Sequence, residues 1–136
     1  MSGRRTHARE LALQALYQYD LRGEEARESV RELLDAAEPE VRAYAETLID
    51  GVRRHGEALT QELKGLLENW AWERLAVVDR TVLTIGAFEL RHVPDLPPKV
   101  ALDEAIELAK RYSTQESGAF VNGVLDRLHH AQGTGA

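Results

Sequence analysis

The opening of this 136-residue chain is rich in arginine, with Arg4, Arg5 and Arg9 inside its first nine residues. A guanidinium forms forked hydrogen bonds with phosphate and stacks on flat bases. Cations at the amino end of a helix oppose its dipole, so a sequence chosen for helix stability alone would place Asp or Glu there. The misfit points to a polyanion partner, and the plainer reading is a solubilising terminus. Tyr17 falls off the stripe its helix would bury, alongside Glu10, Leu13 and Gln14. It can stack on a base, contact a protein or stand as an ordinary half-exposed tyrosine. Asn122 is a second polar group out of place: it lies in mid-helix, off a good apolar stripe. Its plain reading is a solvent-facing side chain.

The elements that must position these groups are helices. The first should run from Thr6 to about Leu21, burying Leu11, Ala12, Ala15, Leu16 and Tyr19 and ending at Gly23. Glu25 to Ala37 reads as a charged amphipathic helix. Glu40 to His55 follows Pro39 and buries Val41, Tyr44, Ala45, Leu48, Ile49 and Val52, with Gly51 and Gly56 suggesting close packing and a helix end. Leu59 to Leu67 is a separate short piece, and Trp70 and Trp72 read as anchors at the edge of the core. Asp79 to Arg91 is apolar nearly all round and should be buried between neighbours. Asp79 is placed as its N-cap, and the Glu89 carboxylate must find a partner or water.

Three prolines between His92 and Pro98 then break the chain before its last two helices. Val100 to Tyr112 carries a broad apolar stripe, with acids near its start and bases near its end. Ser113 to Glu116 has the spacing of a capping box that restarts the chain. The next helix buries Phe120, Val121, Val124, Leu125 and Leu128. Gly118 and Gly123 each cost this helix roughly 1 kcal/mol against Ala, which suggests that a backbone or ligand comes close. Residues 131–136 read as a disordered tail.

Composition limits the function. With 43% apolar and 29% charged residues the chain is a folded one, and its length suits a single domain, 1–136. No apolar run approaches a membrane span and no signal-peptide pattern opens the sequence. Cysteine is absent, which excludes disulfides and thiolate metal sites, and the five histidines lack zinc spacing. Glu89, Asp103, Glu107 and the histidines form no catalytic spacing, so the expectation is a cytoplasmic, non-enzymatic protein without cofactor or metal. The net charge of −6 is unevenly spread. Residues 23–50 hold nine acids against three bases, whereas residues 1–22 hold four bases against two acids. The acidic stretch, 24–46 above all, reads as a solvated helix face, and the basic start remains the candidate binding surface. The residues alone thus give an all-α domain with a basic patch and a binding function.

Three blocks add a resemblance. V-A-L-D-E-A-I-E-L-A-K (100–110) followed by S-x-x-F-V-N-G-V-L-D (117–126), A-R-E-L-A-L-Q-A-L-Y (8–17) and V-D-R-T-V-L-T-I-G-A-F-E-L (78–90) resemble the bacterial NusB family of transcription antitermination factors. They cover most of the folded chain in the family's order. The middle, 22–64, matches in helical character only. The resemblance implies about seven helices in two packed three-helix bundles. It implies binding of the boxA element of nascent ribosomal RNA, as a heterodimer with the ribosomal protein NusE, to help load an antitermination complex onto RNA polymerase. By the same analogy Arg5 and Arg9, with Arg4 beside them, belong to a basic RNA-binding arm, 1–9. Phe120 and Asn122 share its RNA surface and Glu116 lies at the margin. Tyr17 and Asp79 match positions of the NusE contact, Tyr17 also being available to a base. Thr6 and His7 interrupt an arm that is often more basic, and Ala119 stands where a base can occur. Weak RNA binding alone and stronger binding with NusE is therefore expected. Family members occur as monomers and as homodimers, so a homodimer is open to this chain.

Two other readings stand beside it. One is a domain of the kind fused to ribosomal RNA cytosine methyltransferases, which the absence of a nucleotide-binding βαβ pattern opposes. The other is a helical adaptor that binds protein only.

Overall fold

The structure, a computed structural model, describes residues 3–131. It contains six α-helices: α1 (Gly3–Arg22), α2 (Arg27–Asp35), α3 (Pro39–Lys64), α4 (Val77–His92), α5 (Pro98–Tyr112) and α6 (Gln115–Ala131). Single 3-10 turns at Gly23–Ala26 and Trp72–Arg74 complete the regular structure. Among the described residues there is no strand. The helices form two sets of three. α1, α2 and α3 pack on one another, α4, α5 and α6 do the same, and α4 also lies against α1 and α3. This is the two-bundle arrangement that the resemblance implies.

The helix count is six and not about seven because the two expected middle pieces are one 26-residue helix. Val41, Ala45, Leu48, Ile49, Val52, Leu59 and Leu63 form one buried stripe that stays in phase across Gly56. A continuous stripe outweighs the roughly 1 kcal/mol that one mid-helix glycine costs. Gly56 therefore ends nothing, and a Cβ built on it would meet no atom within 4 Å. Gly51 does mark close packing, since a Cβ there would overlap the buried Phe88 ring.

α1 begins at Gly3, a turn earlier than expected, so Arg4, Arg5 and Arg9 are all helical. It stops at Gly23, whose φ of +61° is a left-handed value that glycine adopts without a Cβ clash. Leu13, placed off the stripe by wheel position, is buried, because α1 is covered on more than one side.

From Val82 to Glu89 every residue of α4 is buried, as an all-round apolar helix requires. Leu83 and Ile85 here join Leu48, Leu59, Leu63, Leu125 and Leu128 among the large, fully enclosed side chains. Each such side chain contributes about 1.5–3 kcal/mol relative to exposure. α4 starts at Val77 with Ala76 as N-cap, so Asp79 lies inside the first turn and is not the cap.

The restart before α6 is also shifted by one residue. Thr114, not Ser113, supplies the cap: its Oγ1 accepts the Ser117 N–H at 3.1 Å. Of the two expected close approaches in α6 one is present. A Cβ on Gly118 would lie 2.8 Å from Lys110 Cγ of α5, whereas one on Gly123 would meet only Arg127 at 3.7 Å. Ala131, expected in the tail, is the last residue of α6. The rest of that tail and Met1 and Ser2 of the arm lie outside the described residues.

Candidate nucleic-acid interface

The first turn of α1 holds no acid, so its two arginines draw their compensation from other elements. Arg4 is exposed and forks onto Glu40 at the start of α3, at 2.6 and 2.7 Å. Arg5 lies 3.5 Å from Asp95 in the loop before α5, and its guanidinium carbon stands 4.2 Å from the centroid of the Tyr44 ring. Exposed pairs of this kind contribute about 0–1 kcal/mol and exchange readily for other anions. Both guanidiniums are thus held at the surface by groups of other elements.

Arg9 is not, and the expectation that it contacts RNA directly is corrected by its burial. It is 2% exposed. Its Nε donates to both oxygens of Glu89 at 3.0 and 2.9 Å, and its Nη1 donates to Glu104 at 3.1 Å. Thr6 Oγ1 donates to the same Glu104 oxygen at 2.8 Å, and the Tyr44 hydroxyl donates to Glu89. Burial acts to lower the guanidinium pKa, but the hydrogen bond and charge of Glu89 outweigh it and hold Arg9 above its ordinary value. Burial, with the adjacent Glu89 carboxylate, pushes the Tyr44 hydroxyl up. Arg9 thus fixes α1 to α4 and α5 and is the partner that the buried Glu89 required.

The carboxy-terminal residues divide between two grooves. Phe120 and Glu116 line one of about 310 Å³ together with Trp70, Arg74, Leu75 and Asp79. Phe120 is half-buried against the core and Glu116 is exposed. Asp79 Oδ2 accepts the Ser117 hydroxyl at 3.1 Å, while its Oδ1 is buried without a hydrogen-bond partner. Asn122 is exposed in another groove, of about 270 Å³, with Lys99, Asp103, Asp126 and His129. Two positions apart on a helix is about 200° of turn, so Phe120 and Asn122 face different ways. They are not one contiguous surface. Pro98, three residues after Asp95, lines the groove that holds Asn122.

Tyr17 is 38% exposed, and Leu21 one turn later is 61% exposed, giving α1 an apolar strip on its outer face. The acidic segment is a solvated face laced by surface pairs, among them Glu24 with Arg53 and Arg27, Glu28 with Arg31, and Asp35 with Arg42.

Two residues of this surface were not legible as such. Trp70 is 60% exposed, whereas Trp72 packs on the core, and alternate spacing of two aromatics does not say which one turns out. Tyr44 reads as a stripe residue, and only its hydroxyl hints that its tip needs a partner.

Six helices in two packed sets of three define an all-α, two-bundle class of domain. The chain belongs to the NusB family, whose model matches residues 6–130. It is 46% identical over 131 residues to the transcription antitermination protein NusB of Anaeromyxobacter dehalogenans strain 2CP-1, covering 94% of this chain and 92% of that one. It is 38% identical over 126 residues to NusB of Bacillus cereus strain B4264, covering 92% and 96%. Among solved structures it resembles the crystal structure of antitermination factors NusB and NusE in complex with dsRNA, with a TM-score of 0.86 and 31% identity over 96% of this chain and 99% of that one. T. maritima NusB superposes with a TM-score of 0.85 and 38% identity, covering 93% and 90%.

Proposed function

We propose that this chain is a cytoplasmic transcription antitermination factor. It binds the boxA element of nascent ribosomal RNA together with the ribosomal protein NusE and helps assemble the antitermination complex on RNA polymerase. The observation that carries this reading is the pair Arg4 and Arg5 on the first turn of α1, where the dipole disfavours cations, Arg4 is held by an exposed carboxylate, and Arg5 by another and by the Tyr44 ring. The likeness to a NusB solved with NusE and dsRNA supports it over nearly the whole chain. In this reading Arg4 and Arg5 neutralise phosphates and Asn122 supplies edge hydrogen bonds, while Phe120, in the other groove with Glu116 at its margin, offers a stacking face to a separate stretch of the RNA. Tyr17, with Asp79, serves NusE. Arg9 acts by holding the arm.

The exposed Tyr17 and Leu21 strip also suits a second reading, an adaptor that binds protein without RNA. Fluorescence anisotropy separates the two. A labelled boxA RNA and a scrambled control are titrated with the chain, with and without NusE. Preference for boxA, weak alone and strengthened by NusE, supports antitermination. Binding of NusE with no RNA affinity at low salt leaves the adaptor.

A further inference from the structure

The buried network under α1 ends at a surface arginine, and one residue joins the two. Tyr44 of α3 donates its hydroxyl to the Glu89 carboxylate, which also accepts two hydrogen bonds from Arg9. Arg9 and Glu89 are buried, so the position of that hydroxyl is set from inside the protein. The ring of the same side chain carries Arg5, 4.2 Å from its centroid, with Arg9 at 5.8 Å. A cation over an aromatic face is held by the ring quadrupole while its N–H groups stay free at the edges. A long arginine otherwise gives up substantial rotamer freedom when it is fixed on a ligand.

We propose that Tyr44 is a positioning residue for nucleic-acid binding: locked by Glu89, its ring pre-orients the Arg5 guanidinium so that its free edge meets one phosphate. This rests on the reading of Arg5 as an RNA contact. It assigns Tyr44 a role that no contact of its own with RNA would provide. Asp95 holds the other side of Arg5 at 3.5 Å, and an arriving phosphate takes that place without moving the arginine off the ring.

The test uses the full chain with NusE and boxA RNA, titrated at several salt concentrations. Log affinity against log salt falls by about 0.7 per neutralised phosphate of a single strand. Arg5→Gln should lower the slope by about that amount. Tyr44→Met should lower affinity by about two- to five-fold, the size expected of one cation–π contact. It should also reduce the slope, because Arg5 engages its phosphate less fully. Tyr44→Phe keeps the ring but loses the hydroxyl that Glu89 holds, so its affinity and slope should fall between those of the wild type and Tyr44→Met. The double variant Arg5→Gln/Tyr44→Met should bind no worse than Arg5→Gln. If Arg5→Gln changes nothing, the reading of Arg5 fails. If Arg5→Gln weakens binding but Tyr44→Met keeps wild-type affinity and slope, or the two losses multiply in the double variant, the positioning role is overturned.

A purely structural defect would lower the melting temperature without touching the salt slope. Should Tyr44→Met not fold, NMR of the wild type decides. Ring-current upfield shifts of the Arg5 side-chain protons should persist when boxA RNA binds. Their loss on binding would overturn the proposal.

Discussion

Arg9 of α1 and Glu89 of α4 form a buried ion pair, Nε lying 3.0 and 2.9 Å from the two carboxylate oxygens. Both side chains are almost fully enclosed. Breaking such a pair from one side leaves an uncompensated buried charge, which costs about 3–5 kcal/mol. Glu89→Ala is therefore expected to lower unfolding free energy by about that amount in a denaturant titration. A loss below about 1 kcal/mol would mean that the pair does not hold α1 in place.

The cap before α6 gives a sharper local prediction. Thr114→Ala removes the hydroxyl that accepts the Ser117 N–H and should cost about 1 kcal/mol. Ser113→Ala should cost less, because Ser113 Oγ meets only the Ser117 hydroxyl at 3.0 Å. The same denaturant measurement on both variants checks the order. Equal losses would contradict the assignment.

His92 predicts a pH dependence. Its ring stacks on His55 with centroids 4.1 Å apart and on Phe88 at 5.2 Å. Partial burial, then the neighbouring His55 and Arg91, hold its imidazole below the ordinary 6.5, and Glu62 opposes them. The unfolded chain therefore binds this proton more readily than the folded one. Stability should be full above about pH 7 and decline as pH falls through 6.5 towards the lower folded value. His92→Gln should flatten that part of a melting-temperature profile, and an unchanged profile would refute it.

Most of the fold was legible because its periodicities are long. The all-round apolar run in α4 predicts burial on every side, and Val82 to Glu89 is buried throughout. Boundaries were less legible. Gly56 and Asp79 look like an end and a cap, but a stripe continuous from Val52 to Leu59 and a helix beginning at Val77 override local preference. The site was legible in part. Charge position picked out Arg4, Arg5 and Arg9 alike without separating the buried one from the other two, and the need of Glu89 for a partner was plain from its apolar face. Sequence could not say that Arg9 is that partner, 80 positions away, because the pairing exists only once α1 crosses α4. For the same reason Phe120 and Asn122, two positions apart in the chain, were grouped on a surface that helix geometry divides.

Phosphate binding by Arg4 and Arg5 is what the proposed function depends on most. The most direct measurement compares the salt dependence of boxA binding, with NusE present, for the wild type and for Arg4→Gln/Arg5→Gln. Two lost phosphate contacts should reduce the slope of log affinity against log salt by about 1.4 and weaken binding most at low salt. An unchanged slope, with boxA still bound, would place the RNA on another face of the molecule.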